Sequence, residues 1–474
     1  MILAPPHQKK MVLTELNSSA IGGYDVGIRA QQQRPIPRPD EANLYEIPQG
    51  LYPSYRPLPL PARIFLGVAS IWIVALREKR IVSKFFVTSS TKIMIGSILR
   101  GLIFYLLSNF SLQEIFRGPS RVTTNDLIKN YSLPSKLSQY QILTLPTTKT
   151  TTKREDNNNS QMEDVSSLGV HWLQYNRRPT TSKDSHRYAA LHFNHGFGAS
   201  SLSWLPVLTK MADRFKVAKS TAHDATGFGF TDRPESNNIE LYKPISSSKI
   251  GLEILKKKNN NLEESSSDNI LLVGHSMGAL ATLQMALQLP KETPVTVVLV
   301  APALGVMQRR KEVKKSIANK KPSFSIQKYI IDLPLQYILR RIVGIRGFWK
   351  RGLSAVWGNP KLVTDTDALR FQWPSIGLGW ERGLLMFTRA MTSSSRNDGM
   401  DDDSSLLKEV IENRPNTSLV VVVGSLDRVV PRSQVDKVFA PYPDIPIVEL
   451  NGCGHDPFEE KPEDFMNSIE KFIL

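Results

Sequence analysis

From about residue 138 to the end of the chain, short runs of apolar residues alternate with longer amphipathic stretches. The short runs read as strands at Ala189–Asn194, Lys216–Lys219, Ile270–Val273, Val295–Val300, Leu419–Val423 and Pro446–Leu450. Several, such as Val295 to Val300 and Val420 to Val423, are continuous and rich in β-branched residues. A strand that faces solvent on one side alternates apolar with polar; an unbroken apolar run belongs to a strand covered on both faces, which means a parallel sheet between layers of helices. The strand pattern stops between Ala301 and Ser418, where helix-like and aromatic segments fill the gap. That is too long for a loop in a compact domain, so an inserted subdomain is expected over about 302–417.

Ahead of residue 138 the pattern is different. Residues 1–61 carry short apolar stretches and a proline-rich tract from Pro35 to Pro61, and read as disordered. No continuous apolar core follows Met1, so a secretory signal is not expected. Residues 62–120 hold two apolar stretches, Ile64 to Leu76 and Ile93 to Leu107, flanked by Arg77, Lys79, Arg80, Lys84 and Lys92. Both fall short of the roughly 20 residues of a membrane span. They fit helices packed on the core or a basic, interfacial hairpin on a membrane. Three polar stretches of low complexity, Thr147 to Ser160, Lys256 to Asp268 and Ser393 to Ser405, read as surface loops, and no internal repeat is found.

Composition narrows the classes. The 474 residues, 41% hydrophobic and 22% charged, are ordinary for a globular chain. One cysteine, Cys453, excludes an intrachain disulfide framework and a cysteine-cluster metal site. The net charge of +16 is uneven: residues 1–150 hold 18 basic and 8 acidic side chains, and residues 301–360 hold 13 and 2. An anionic partner follows, and without any nucleic-acid module in either segment an anionic membrane surface is expected rather than nucleic acid.

Chemistry is concentrated in four places. Gly274-His275-Ser276-Met277-Gly278 follows the strand Ile270–Val273 and precedes a helical stretch, Ala279–Leu289. This strand–turn–helix setting is what the G-x-S-x-G pattern requires to lift a serine Oγ clear of the sheet. Serine is a weak nucleophile without a base. Asp427 lies just past one strand and His455, in Gly452-Cys453-Gly454-His455, just past the next. Their chain order, serine, acid, histidine, suits a triad in which His455 takes the Ser276 proton and Asp427 orients the ring. Asp456 is next to the histidine in the chain and poorly placed to reach its ring, and Asp401-Asp402-Asp403 lies in a polar loop. Asn194-His195-Gly196-Phe197-Gly198 follows the first strand of this set. Its Phe197 N–H and the Met277 N–H are the expected oxyanion donors, with His195 bracing the loop. Thr226 to Pro234 reads as a structural turn beside that loop, since it lacks the pattern of a phosphate-binding loop.

Together these motifs resemble the α/β-hydrolase superfamily, in its group with H-G-F-G, G-F-G-x-[ST]-D-[RK]-P, G-H-S-[ML]-G, G-x-x-D-x-[VI]-[VI]-P and G-x-G-H. They stand here as His195–Gly198, Gly227–Pro234, Gly274–Gly278, Gly424–Pro431 and Gly452–His455. Ala225-Thr226 departs from the Arg-Gly or Pro-Gly common before the second motif. The resemblance implies a mostly parallel sheet flanked by helices over 121–474, with a helical lid inserted between the sixth and seventh strands. It implies a serine hydrolase that needs no cofactor or metal and cleaves an ester of a hydrophobic, lipid-like substrate. Acyl transfer and C–C bond hydrolysis use the same triad, and a non-catalytic binding protein on this fold is the alternative of another class. These residues do not fix a location; an intracellular site, peripheral on an organelle membrane, is compatible with them.

Overall fold

The computed structural model describes residues 137–147, 164–179, 184–234, 239–257, 269–305, 345–375, 379–393 and 403–474, with Gly377 and a few positions in 336–343. The expectations for 1–61, for 62–120 and for its apolar hairpin lie outside the described residues.

Eight strands form one sheet: β1 (Ser138–Thr147), β2 (Asp164–Asn176), β3 (Tyr188–Asn194), β4 (Val217–His223), β5 (Ile270–His275), β6 (Val295–Val300), β7 (Thr417–Gly424) and β8 (Ile447–Leu450). Their order is β1-β2-β4-β3-β5-β6-β7-β8. β1 and β2 pair antiparallel, β2 and β4 likewise, and the remaining pairs are parallel. In β4, β5 and β6 nearly every residue is buried, because helices cover both faces. In β1, Leu143 and Leu145 are buried while Gln141, Ile142 and Thr144 face solvent, the alternation of a strand covered on one side.

The strand order creates the site. After β3 the chain moves outward to β4, then returns past β3 to β5 on its other side. The loops leaving β3 and β5 therefore diverge, and a crevice opens between them at the carboxyl ends of the strands. Ser276 follows β5 and His195 follows β3, so both line that crevice.

Helix α1 (Leu205–Arg214) and the carboxyl-terminal helix cover one face, and α2 (Pro244–Lys256) and α3 (Gly278–Gln288) the other. Helix α3 is buried from Gly278 to Ala286, as a helix sandwiched between sheet and neighbours must be. Between β6 and β7 the described residues form α4 (Arg346–Val356), α5 (Asp365–Ser375), α6 (Trp380–Ser393) and α7 (Asp403–Asn413). The last of these belongs to the flanking layer: Leu406, Leu407 and Val410 bury beside Leu272, Leu283 and Val297. The described part of this segment that precedes α7 packs separately. It has its own core of Trp349, Leu353, Trp357, Val363, Ala368 and Trp380. Trp373 instead joins the core of the sheet domain, edge-on to Phe230, and Phe348 is exposed. Beyond β7 come α8 (Arg432–Phe439), α9 (Pro457–Glu460) and α10 (Pro462–Ile473). Among the described residues no helix is long and apolar enough to cross a membrane.

One buried cation closes a helix end. Lys219 on β4 donates from Nζ to the carbonyls of Ile254 at 2.7 Å, Lys257 at 2.9 Å and Leu255 at 3.4 Å. The last carbonyls of a helix have no partner within it and carry its negative dipole end, so an ammonium there stabilises both. Lys219→Met keeps the stem and removes the donors. The expected loss is about 2 kcal/mol, from carbonyls left unpaired in a buried place. It should appear in thermal melts as a Tm roughly 5 °C lower; an unchanged Tm would mean that solvent already satisfies these carbonyls.

Candidate active site

The turn after β5 holds Ser276 at φ 51°, in the left-handed region. A non-glycine residue is strained there and stays only where its surroundings dictate it. The surroundings are close: Ser276 N–H donates to Val300 O at 2.9 Å, and Ser276 O accepts from Ala279 N at 3.2 Å and Ala303 N at 3.1 Å. A Cβ on Gly274 would clash with Thr282, and one on Gly278 would fall on the carbonyl oxygens of Asn194 and His195. The two glycines of the motif are thus demanded by helix α3 returning against the β3 loop. Ser276 itself is buried to 6% exposure, and its Oγ takes no hydrogen bond among the described residues.

Asp427 and His455 come together as their chain positions imply. Asp427 Oδ2 accepts from His455 Nδ1 at 2.8 Å, and the carboxylate is fully buried. Its Oδ1 accepts from Val429 N at 2.7 Å and Val430 N at 2.9 Å, so the turn after β7 fixes the acid. A carboxylate can only accept, so Nδ1 carries a proton, and in the neutral ring Nε2 keeps its lone pair. Burial of His455 opposes its cationic form. The Asp427 hydrogen bond and the Asp456 and Asp427 charges outweigh that, and its pKa is held above the ordinary value. The backbone of the histidine loop meets the serine turn directly: His275 Nε2 donates to His455 O at 3.0 Å. Asp456 lies 3.3 Å from that same His275 nitrogen, not on the His455 ring.

The β3 loop lies against the serine. A Cβ on Gly196 would come within 3.0 Å of both Ser276 Cβ and His275 Nδ1. Among the described residues neither Phe197 N–H nor Met277 N–H donates to a backbone carbonyl. His195 is held at both ring nitrogens, with Nδ1 on Gly196 O at 2.8 Å and Nε2 accepting from Ala225 N at 3.0 Å. Phe197 is 48% exposed and meets Phe387 of α6 and Phe228, each at 5.9 Å between ring centres.

Three groups escaped the sequence reading. Asp224, buried just past β4, accepts from Ser201 N at 2.6 Å, Phe230 N at 2.8 Å and His171 Nδ1 at 2.7 Å. Burial opposes its charge, but these partners hold its pKa far below the ordinary carboxylate range. It braces the Thr226–Pro234 turn, where Gly227 and Gly229 take positive φ. His171, the second group, lies on β2. The third is a buried ion pair at 3.0 Å between Arg370 of α5 and Glu459 of α9, beside the histidine loop. Burial, with Asp456 nearby, pushes the Glu459 carboxyl up to about 8 against the pull of Arg370. A cavity of about 400 Å³, lined by Ala190, Lys219, Ile270, Glu292 and Pro294, opens at the other end of the strands, away from all of these.

The sequence profile of the alpha/beta hydrolase family matches residues 192–468. The chain belongs to that family. An uncharacterized protein of Mycobacterium tuberculosis (strain ATCC 25618 / H37Rv), Rv2715, is 25% identical to this hydrolase-family chain over 283 residues, 59% of this chain and 73% of its own. The uncharacterized hydrolase YugF of Bacillus subtilis (strain 168) is 25% identical over 279 residues, 59% of this chain and 88% of its own. Among solved structures, a serine hydrolase involved in carbazole degradation, CarC, is 18% identical and aligns with a TM-score of 0.44 over 65% of this chain and 95% of its own. The Cif epoxide hydrolase from Acinetobacter nosocomialis is 15% identical, with a TM-score of 0.46 over 74% and 94%.

Within the hydrolase domain the cysteine of the histidine loop is shielded. Burial, then the Glu460 charge, pushes the Cys453 thiol up to about 12. Thiolate is the reactive form, so a thiol reagent at pH 8 should leave the native protein unmodified and modify one group per chain only in denaturant. Fast reaction of the native protein would show that the loop carrying His455 opens in solution.

Proposed function

We propose that the chain is a serine hydrolase that cleaves an ester bond of a hydrophobic substrate through an acyl-enzyme on Ser276. The observation that carries this reading is the His455 Nδ1–Asp427 Oδ2 bond of 2.8 Å, made by a loop whose backbone also bonds to the residue before Ser276. Nε2 of His455 takes the Ser276 proton as Oγ attacks the ester carbonyl. The oxyanion that forms is stabilised by the N–H groups of Phe197 and Met277. His455, now an imidazolium stabilised by Asp427, returns the proton to the departing alcohol. Water then enters and attacks the acyl carbon, losing a proton to His455, which passes it to Ser276 Oγ as the acid leaves.

The hydrophobic character of the substrate is supported by what surrounds the oxyanion donors. Phe197, Phe228 and Phe387 form an aromatic group at this point, and Met277, Leu384 and Met391 pack with it. Helix α6 supplies Phe387, so the segment between β6 and β7 works in this reading as a lid that forms part of the substrate wall. Acyl transfer and C–C cleavage would use the same three residues and differ in the acceptor or in the bond broken. Assay of the wild-type chain on p-nitrophenyl esters of graded acyl length, with and without an added alcohol, separates the first of these from hydrolysis.

Ser276→Ala deletes one oxygen and leaves the turn in place. Turnover should fall by on the order of 10⁶, as for loss of a triad nucleophile. Labelling by a fluorophosphonate should vanish while the melting temperature holds. A folded wild-type chain that neither labels nor turns over would instead favour a binding protein on this fold.

Asp427→Asn removes the charge, and with it the charge-assisted hydrogen bond, that raise the His455 pKa. Catalysis needs neutral His455, so the rate falls as pH drops through that raised pKa. Without Asp427 the acid limb of the pH–rate profile should move to lower pH, and the plateau should fall by on the order of 10⁴. An acid limb that stays in place would mean that another carboxylate sets the pKa.

A further inference from the structure

Glu460 closes helix α9, five residues past His455, and is buried. Its carboxylate spans two stretches of backbone. Oε2 accepts from Gly454 N at 2.7 Å, in the histidine loop, and from Gly358 N at 3.0 Å, just past α4. Oε1 accepts from Asn359 N at 2.9 Å. Cys453 Sγ adds a weak donor at 3.6 Å. The two stretches also touch directly. His455 N–H donates to Val356 O at 2.8 Å, and a Cβ on Gly358 would lie 2.8 Å from Cys453 C and 2.9 Å from Gly452 O. Glycines on both sides let the backbones meet without side chains between them.

We propose that Glu460 is a positioning residue for His455, and that through it the segment between β6 and β7 braces the catalytic base. This rests on the serine-hydrolase reading above for the role of His455. The histidine loop is short and glycine-rich; other bonds hold it at Gly452, Cys453 and His455, and Glu460 takes the N–H of Gly454, directly before the base. A carboxylate suits the task because it presents acceptors only, in two directions, to three N–H groups. Glutamine does not: one of its positions is an NH₂, which would face an N–H across 3 Å.

The test uses the full chain with Glu460→Gln, and with Glu460→Asp, which keeps the charge but withdraws the oxygens by one methylene. Both go through p-nitrophenyl ester kinetics and thermal melts, and Glu460→Gln is also made in a His455→Ala background. A displaced base should cost about 10- to 100-fold in kcat, with KM changed less than about twofold, as expected for an interaction felt only in the transition state. Acting only through His455, the substitution should leave the residual rate of His455→Ala unchanged. An equal loss in both backgrounds, or a raised KM with kcat intact, would overturn the proposal; if the glutamine variant does not fold, the aspartate variant decides by the same kcat and KM criterion. A readout free of turnover accompanies it: the downfield proton resonance of His455 Nδ1–H, assigned by its loss in His455→Ala. It should shift or broaden in either folded Glu460 variant, and an unchanged resonance would overturn the proposal. A wild-type chain inactive on every ester would sink the hydrolase reading, and this resonance would then decide the role of Glu460.

Discussion

The site rests on one strained turn. Ser276 at φ 51° is a conformation that a free chain would leave, at a cost of order 1–3 kcal/mol. It is kept by the backbone bonds to Val300, Ala279 and Ala303 and by the approach of helix α3 to the β3 loop. That approach is possible only because Gly278 has no side chain. The same contact brings the loop with Gly196 and Phe197 to the serine. Serine turn, β3 loop and helix amino terminus are therefore one packing arrangement, and a change that relaxes the turn also separates the others.

The segment between β6 and β7 is fastened to this arrangement at two points. Its early part, past α4, lies against the histidine loop through Val356, Gly358 and Asn359. Its later part, helix α6, meets the Gly227 turn so closely that a Cβ on Gly383 would fall on Gly227 backbone atoms. Phe387 reaches Phe228 and Phe197 from the same helix. A cover hinged freely over the crevice would need one edge without such contacts. Both described edges have them, and both are at loops that carry the proposed chemistry. Motion of these parts would have to carry His455 or Phe197 with it.

How far the sequence spoke depended on the range of the contact. Most inner strands were legible because burial on both faces leaves a continuous apolar run, as in Val295 to Val300; β4 was read only as far as Lys219, since Ser220, Thr221 and His223 are polar though buried. β1 and β2 were not singled out: β1 is covered on one side only, so its apolar residues are interleaved with Gln141 and Thr144, and a polar stretch separates the two strands. The serine, acid and histidine were legible because each sits in a local turn that needs glycine at fixed offsets. Glu460, Arg370, Asp224 and His171 left no such mark. Their partners lie far along the chain, Gly358 from Glu460 by 102 positions and His171 from Asp224 by 53. A buried charge is visible in sequence only as one more charge. The pair Glu459-Glu460 between an apolar residue and Lys461-Pro462 was the nearest thing to a signal, since two adjacent acids at a helix junction call for partners.

Four carboxyl groups, Asp427, Asp456, Glu459 and Glu460, stand within one loop of the catalytic candidate His455, and their arrangement answers a conflict. Burial shields the histidine from water and, taken alone, disfavours the imidazolium that the proposed reaction would form. Negative charge nearby reverses that, but several buried carboxylates repel one another and lose their own hydration. Here the backbone answers two of them. Asp427 takes two backbone N–H groups as well as the ring, and Glu460 takes three. Glu459 lies 3.0 Å from Arg370 and Asp456 3.3 Å from His275, yet burial still pushes both carboxyls up. Because Arg370 and the Gly358–Asn359 backbone belong to the segment between β6 and β7, the electrostatics around His455 depend on that segment being in place. A sheet domain stripped of it would leave two buried carboxyls short of their partners, next to the residue whose charge state the proposed reaction would use.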